Sequence, residues 1–400
     1  MIGLDILDLR RLKTMDLSLL KKRILNDNEL NYIESKNNKV ETLGGIYAAK
    51  EAISKALGSG IGIVSFKDIN LFWDNLGAPS ARYKDILDID ISISHEKDFV
   101  IASAFIGNNI LDIKRLGEVK ELVKSLADLK KRSKDSHKGD FGKTAIIGGS
   151  KSMTGSVYLS SLASLKAGSG LSYTIVPKEI QNILEIKLVE NIIMELEDNK
   201  ELFEFLEKMD SIAIGMGMGK DIDYKLFEKI LKLDTRKIID ADGLNFISKN
   251  RSLLKYLKNS VITPHEMEMS RLIQEDLDYV KANRLSIAKK FALLYNCVVV
   301  LKGHESLVTD GCSTYINKTG SSALATAGSG DVLSGIIASN LASNSNIFEA
   351  SKLSVFLHGL SGEIAGFELT DYSVIARDII RCLPKAIKIY QNFKSPIKVD

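Results

Sequence analysis

Five prolines, one tryptophan and three cysteines are few for a chain of 400 residues, and each scarcity removes a class of explanation. Cys297, Cys312 and Cys382 lack the paired spacing of a zinc site or a disulfide framework, which suits a reducing cytoplasm. No apolar run nears the ~20 residues that a membrane span needs. The longest candidates, such as Cys297-Val298-Val299-Val300-Leu301, are strand-sized. The opening MIGLDILDL has no charged n-region, apolar core or cleavage site, so no secretory signal is expected. Net charge is only +3, and nothing at whole-chain level calls for nucleic acid. Low-complexity segments and internal repeats are missing as well. What remains is 45% hydrophobic and 26% charged, the composition of a soluble globular protein, at a length that calls for two or three domains.

Residues 1–106 read as a compact α+β unit. Strand-like runs at Ile89–Ser94 and Phe99–Ile106 flank a polar turn at His95–Asp98, which predicts a hairpin. Leu43–Leu57 has helical periodicity and is stopped by Gly58-Ser59-Gly60. Gly107-Asn108-Asn109 then breaks the pattern, and a charged helix is expected from about Leu116 to Arg132. From Lys143 the rhythm becomes strand, glycine turn, helix. The runs Thr144–Ile147, Ser172–Val176, Ser211–Ile214, Lys237–Ile239, Ser260–Ile262 and Val298–Leu301 predict a parallel sheet with helices on both faces. The seam falls between about 107 and 115, giving domains over 1–110 and 115–395.

The most informative segment is Thr326-Ala327-Gly328-Ser329-Gly330-Asp331-Val332-Leu333-Ser334-Gly335. A glycine-rich turn, an acid and a helix start can hold a phosphate on backbone N–H groups and set the acid to take a proton. In isolation the same run reads equally well as a flexible loop with a capping Asp. Asp5 sits inside the apolar run Ile2–Leu9, where an acid needs a partner or a metal. Glu51 and Lys55 are four apart and share a helix face, as a surface ion pair or as part of a site. Two apparent motifs fail. Gly142-Lys143-Thr144 lacks the first P-loop glycine, since His137 stands there, and it precedes a strand. Gly215-Met216-Gly217-Met218-Gly219 lacks the third glycine of a dinucleotide fingerprint, which falls on Lys220. Asp240, Asp242 and Asn245 follow a strand, either as an Asx turn or as ligand contacts. All five histidines lie beside glycine, serine or charge; His358 reads as structural, packing a helix on the sheet.

GLDILDLRRL (3–12), RILNDNEL (23–30), YAAKEAISKALGSGIG (47–62), SFKDI (65–69) and SISHEK (92–97) together resemble holo-acyl-carrier-protein synthase, in the family's order. The resemblance implies an α+β 4′-phosphopantetheinyl transferase domain that moves 4′-phosphopantetheine from coenzyme A to a serine of apo-acyl carrier protein. It implies Mg²⁺ held by Asp5 and Glu51. Lys55 would neutralise the leaving diphosphate or help deprotonate the serine, His95 would lie near the nucleotide, and Arg11 would meet the carrier protein. Ile46 replaces an Arg expected to meet a phosphate, and Gly77-Ala78-Pro79 loses another charge of the family pattern.

HKGDFGKTAIIGGSKSMTGS (137–156), IAIGMGMG (212–219), IIDADGLN (238–245), ITPHEMEMSRL (262–272), VVVLKGHES (298–306), NKTGSSALATAGSGDVLSGIIA (317–338) and VFLHGLSGEIA (355–365) resemble the ADP/ATP-dependent NAD(P)H-hydrate dehydratases. That resemblance implies an α/β ribokinase-like domain with a mostly parallel sheet. ADP or ATP would phosphorylate the hydroxyl of hydrated NADH or NADPH, and phosphate loss would restore the cofactor. Asp331 would be the base. Lys302, Gly303, His304, Glu305 and Ser306, with Gly328, Ser329 and Gly330, would hold the nucleotide. Gly155, Ser156, Gly217, His265 and Asp331 would line the hydrated cofactor. Thr263-Pro264-His265-Glu266-Met267-Glu268 and Ser321 depart from the family pattern around that pocket. Both families assemble as oligomers, so a homo-oligomer is expected. The other reading is a ribokinase-like small-molecule kinase carrying a non-catalytic amino-terminal oligomerisation module.

Overall fold

The computed structural model describes residues 1–394 apart from 38, 59–63, 85–86, 108–110 and 112. Ser59 and Gly60 of the expected helix stop, and Asn108 and Asn109 of the expected break, lie outside the described residues. The chain divides into two compact units, Met1–Glu121 and Leu122 onward.

In the first unit, strand β1 (Ile2–Asp8) leads into α1 (Leu9–Lys13), α2 (Leu17–Ile24), α3 (Asp27–Ser35) and the long α4 (Val40–Ala56). Strands β2 (Ile69–Trp73), β3 (Pro79–Tyr83), β4 (Leu87–Glu96) and β5 (Phe99–Phe105) complete an antiparallel sheet of order β1-β5-β4-β3-β2. The expected hairpin is β4–β5, but its turn is shorter than the polar run suggested. His95 pairs with Val100 and Glu96 with Phe99, leaving Lys97 and Asp98 as a two-residue turn with Lys97 at φ 48°. Ladder pairing thus overrides side-chain polarity, and His95 belongs to a strand.

Helix α4 lies on β1, β4 and β5 through Ala48, Ala49, Ala52 and Ile53, all buried. Ile46 is in the same apolar core, so the departure at this position fills the interior. Lys50, on the same helix, is fully buried against Glu29 of α3 at 2.7 Å. Its ammonium also donates to the carbonyls of Ile24 and Phe66, while Glu29 accepts from the backbone N–H groups of Asn26 and Leu71. Every charge is satisfied, which is the condition for burying an ion pair. The opposite sheet face is bare: Ile2, Leu4 and Ile6 of β1 and Phe99, Ile101 and Phe105 of β5 are all exposed.

Helix α5 (Ile113–Val123) ends well before Arg132. The cations beyond it have tertiary partners instead: Lys130 donates to the Asp140 carbonyl and the Arg132 guanidinium lies 4.1 Å from the Phe141 ring centre. The second unit is built on β6 (Lys143–Ile147), β7 (Leu171–Val176), β8 (Ile192–Glu195), β9 (Ser211–Ile214), β10 (Arg236–Ile239), β11 (Ser260–Ile262), β12 (Val298–Leu301), β13 (Leu307–Thr309) and β14 (Thr314–Ile316). Their order is β14-β13-β12-β11-β10-β9-β6-β7-β8, parallel from β12 to β8 with an antiparallel β13–β14 edge. The six expected strands are present. Of the three others, β8 and β14 lie at sheet edges without a fully buried run, whereas β13 is a buried three-residue run that the reading missed.

Helices α6 (Thr154–Ala167), α7 (Lys178–Lys187), α8 (Lys200–Leu206), α9 (Tyr224–Lys232), α10 (Ala241–Lys249) and α11 (Glu266–Ile273) connect successive strands or follow them. Then come α12 (Leu277–Ala282), α13 (Arg284–Tyr295), α14 (Ser329–Ser343), α15 (Ile347–Glu368) and α16 (Ala376–Lys394). Alternate strand residues feed two cores. Ile147, Ile214, Ile239 and Val299 meet Phe227, Leu244 and Phe291, whereas Ile146, Ala213, Ile238 and Val300 meet Leu333, Ile337 and Val355. Strand order reverses at β6, which has β7 on one side and β9 on the other, the point where open α/β sheets bind ligands. No described helix is long and apolar enough to cross a membrane.

Removing one member of the buried Lys50–Glu29 pair strands the other charge. Glu29→Ala is expected to destabilise the protein by about 3–5 kcal/mol, read by urea unfolding, whereas Glu29→Leu combined with Lys50→Met restores most of the loss.

Candidate active sites

In the second unit the acid of the glycine-rich segment occupies the first turn of α14, not its cap. The cap is Gly328 at φ +86°, a left-handed conformation suited to glycine, and Asp331 is the third helical residue. As second and third residues of the helix, Gly330 and Asp331 have amides with no intrahelical acceptor, so both are available to an anion. Helix α14 lies close on α6: a Cβ at Gly335 would sit 2.1 Å from the Ser160 carbonyl oxygen. That approach lets the Ser160 hydroxyl donate to the Asp331 carbonyl at 2.8 Å and brings Ser156 to the Asp331 carboxyl. Burial, reinforced by Asp240, pushes the Asp331 carboxyl up to about 6, against the opposing Ser156 hydrogen bond.

Asp240 ends β10 and is almost wholly buried. Its Oδ1 accepts from the Ala241 amide and from Lys302 Nζ at 2.8 Å, and its Oδ2 accepts from Ser334 of α14 at 2.7 Å. Asp240 therefore caps the start of α10 and also ties Lys302 and α14 together. Asp242 and Asn245 serve structure: Asp242 accepts from the Gly219 amide and Asn245 from Arg271. Lys302 also lies 3.7 Å from Glu268, whose carboxyl is pushed up to about 7, chiefly by burial. A Cβ at Gly330 would stand 3.4 Å from Lys302 Nζ, so the lysine lies against the phosphate turn.

His265 caps α11. Its Nδ1 accepts from the amides of Met267 and Glu268, and burial with the nearby Lys302 lowers its basicity. His265, Lys302 and Gly303 line one cavity of about 260 Å³, so a residue expected at the cofactor and two expected at the nucleotide share a space. The loop 302–306 is held by Arg284, which donates to the His304 carbonyl at 2.8 Å. Glu305 pairs with Lys318 and the Ser306 hydroxyl donates to the Gly303 carbonyl. Gly155 opens a second cavity with Ala327. Gly217 follows β9, where any side chain would press on Ser156.

The Ser329 side chain is buried, within 3.2 Å of His358 Nε2, so it faces α15 and not the turn's mouth. His358 therefore packs on the start of α14, with its Nε2 also 3.0 Å from the Ser329 carbonyl oxygen. Burial pushes it down to about 4, which keeps it neutral. Glu268, Ser334 and Arg284 were absent from the expected site, and Asp240 entered it only as one of two open readings. The buried acid of IIDADG was the one legible signal among them.

In the first unit, Lys55 Nζ lies 2.8 Å from Asp5 Oδ1, joining β1 to α4. Glu51 lies one turn away and is raised by burial, with Asp5 adding repulsion and a Tyr47 hydrogen bond opposing. Two facing carboxylates fit Mg²⁺, which is usually held by one or two acids while phosphates and water complete its shell. No cluster of three or more metal-binding side chains occurs among the described residues. Glu51, Tyr47, Arg23 and Phe66 border a cavity of about 380 Å³. Arg11 is exposed on α1, whereas Arg10 turns back onto Asp8. His95 lies beside Gly45 of α4.

A glycine turn at a helix start, an inward acid and a half-buried lysine thus meet at the carboxyl end of a mostly parallel sheet. A ribokinase-like superfamily protein from Enterococcus faecalis superposes with a TM-score of 0.60 at 29% identity, over 68% of this chain and 94% of that one. Residues 144–385 match the NAD(P)H-hydrate dehydratase family, and the chain belongs to that family. Residues 1–104 match the 4′-phosphopantetheinyl transferase superfamily, so both resemblances read from the sequence are borne out. The bifunctional NAD(P)H-hydrate repair enzyme of Moorella thermoacetica is 34% identical over 66% of this chain and 52% of its own length. The chain thus spans about half of that relative. The ADP-dependent (S)-NAD(P)H-hydrate dehydratase of Neisseria meningitidis is 34% identical over 59% of this chain and 81% of its own length.

Asp331 holds its proton more tightly folded than unfolded, because its carboxyl is raised to about 6. Stability therefore falls as pH rises from the ordinary carboxylate range through that value. Asp331→Asn should remove this slope and raise stability at neutral pH by about 2–3 kcal/mol, read by urea unfolding in mild acid and at neutrality.

Proposed function

We propose that the second domain, residues 115–395, dehydrates the (6S)-hydrates of NADH and NADPH at the expense of ADP or ATP. The ring hydroxyl gives its proton to Asp331 and attacks the terminal phosphorus of the nucleotide, breaking the bond to its bridging oxygen and expelling AMP from ADP or ADP from ATP. The Gly330 and Asp331 amides and the Lys302 ammonium hold the moving phosphoryl charge, while the Ser329 amide of the expected cradle donates to the Thr326 carbonyl. Loss of phosphate then restores the dihydropyridine ring. Lys302 to Ser306 lie along the nucleotide, while Gly155, Ser156, Gly217 and His265 border the hydrate. The observation that carries this reading is the place of Asp331 in the first turn of α14, next to the Gly330 turn against which Lys302 lies, with burial raising its carboxyl toward the range of a general base.

Hydrated NADH supplied with ADP or ATP should regain the absorbance of NADH. Asp331→Asn should lower kcat by about 10²–10⁴-fold, and the wild-type rate should fall below about pH 6 as the base protonates. A small-molecule kinase would instead leave a stable phosphorylated product and no recovered NADH.

For the first domain, residues 1–110, we infer transfer of 4′-phosphopantetheine from coenzyme A to apo-acyl carrier protein. Asp5 and Glu51 would hold Mg²⁺, which supplies charge neutralisation at the diphosphate. Lys55 stands at that diphosphate or at the attacking serine. Arg11 meets the acidic carrier, and His95 lies toward the nucleotide. The bare face of Ile2, Leu4, Ile6, Phe99, Ile101 and Phe105 supports a homo-oligomer closed over this sheet, since monomers rarely leave such a patch open. Coenzyme A and reduced nicotinamide cofactors as substrates fit a cytoplasmic protein. Apo-carrier protein incubated with the chain, coenzyme A and Mg²⁺ should gain the mass of phosphopantetheine, and Glu51→Gln should abolish the gain. A purely oligomerising module would give no gain with the wild-type chain.

A further inference from the structure

The phosphate turn separates two cavities of the second unit. On the Gly330 side stand Lys302 and the space of about 260 Å³ that it shares with His265. On the Gly328 side, a Cβ would meet Leu159 Cδ1 at 2.5 Å and Ala376 Cβ at 3.2 Å, with Asp331 Oδ2 at 3.9 Å. Leu159 and Ala376 are the inner wall of a larger cavity of about 540 Å³. That volume is within the range of small-molecule sites. The cavity therefore begins where the base ends.

Its lining divides by chemistry. Tyr158, Leu159, Ile375 and Ala376 form an apolar wall with one aromatic face. Lys187, the last residue of α7, and Arg377, near the start of α16, are its two charges, and no acid lines it among the described residues. Lys187 Nζ stands 5.8 Å from the Tyr158 ring centre. Arg377 has no hydrogen bond or ion pair among the described residues. The neighbouring acid, Asp378, is occupied by the Ile375 amide and by Arg381. An unengaged guanidinium and an ammonium at an apolar, aromatic wall suit a ligand carrying both phosphate and a planar base.

The geometry points to this cavity as the seat of the remote half of the dinucleotide, its pyrophosphate and adenosine, with Lys187 and Arg377 as the cations that hold its phosphates. This rests on the dehydratase reading. A hydrate whose ring hydroxyl touches Asp331 is far longer than the space around that carboxyl, and its remaining phosphates need an exit. Lys302 and His265 on the Gly330 side serve the phosphoryl donor and the ring end of the hydrate, so the larger cavity on the Gly328 side receives the remaining phosphates. Lys187 and Arg377 are then specificity residues, remote from the reacting atoms. They bind substrate and transition state alike, so their loss acts on KM.

The test is steady-state kinetics of the full chain with hydrated NADH and hydrated NADPH, comparing wild type with Lys187→Ala, Arg377→Ala, the double variant and Arg377→Lys. Each alanine variant should raise KM for the hydrates about tenfold, with kcat and the KM for ADP or ATP held within about twofold, as for the loss of one charge-assisted phosphate contact. The double variant should lose most with hydrated NADPH, which carries the additional 2′-phosphate, and Arg377→Lys should recover part of the loss. Unchanged KM for both hydrates in the double variant overturns the proposal. If wild type turns over neither hydrate, the dehydratase reading fails, and calorimetric titration with NADPH decides the cavity on its own. Binding lost in the double variant upholds it, and equal binding in both proteins overturns it.

Discussion

One buried carboxylate organises the second unit. Asp240 ends β10 at the carboxyl edge of the sheet and reaches Lys302 after β12 and Ser334 on α14. Three chain segments far apart in sequence are thereby tied to one pair of oxygens. An unpaired acid at this depth would be strongly disfavoured, so its partners have to be present for the fold to close. Lys302 is in turn held at the glycine turn by Asp240 and not by Asp331, which has no direct ion-pair partner among the described residues. Separating the two acids by role follows from environment: one is neutralised by contact, the other is raised by burial and by the first.

The site is further shaped by close packing of helices. Without a side chain at Gly335, α14 can approach the backbone of α6, and only then do Ser156 and Ser160 meet Asp331. His358, neutral and buried, ties the start of α14 to α15 through Ser329. The glycine turn is thus fixed from behind by two helices, α6 and α15. In the first unit the corresponding anchor is the Lys50–Glu29 pair, which fixes α4 to α3 immediately before Glu51 on the same helix.

Much of the architecture was legible because it is written in short-range patterns. Buried parallel strands read as continuous apolar runs, and six of them were found that way. β8 and β14 were not, since edge strands need less apolar burial, and the buried β13 was missed as a run of only three residues. The helix expected to reach Arg132 stops at Val123 because Lys130 and Arg132 find partners around Asp140 and Phe141. The β4–β5 turn shrank to two residues for the same kind of reason, a cross-strand ladder outweighing local polarity.

By itself the amino-acid sequence determined the two-part organisation, the parallel sheet, and the identity of the phosphate turn with its acid, because each depends on residues adjacent in the chain. It carried Asp5, Glu51 and Lys55 as well, by pattern. Only the tertiary structure decided what surrounds them: that Ser329 faces inward, that Ile46 belongs to the core, that His265 shares a cavity with Lys302, and that Asp240, Glu268 and Arg284 hold the lysine loop in place. Those outcomes turn on burial and on charge pairs formed across long stretches of chain. Such pairs leave no periodicity in the sequence, since the partner of a buried charge is chosen by packing and not by spacing.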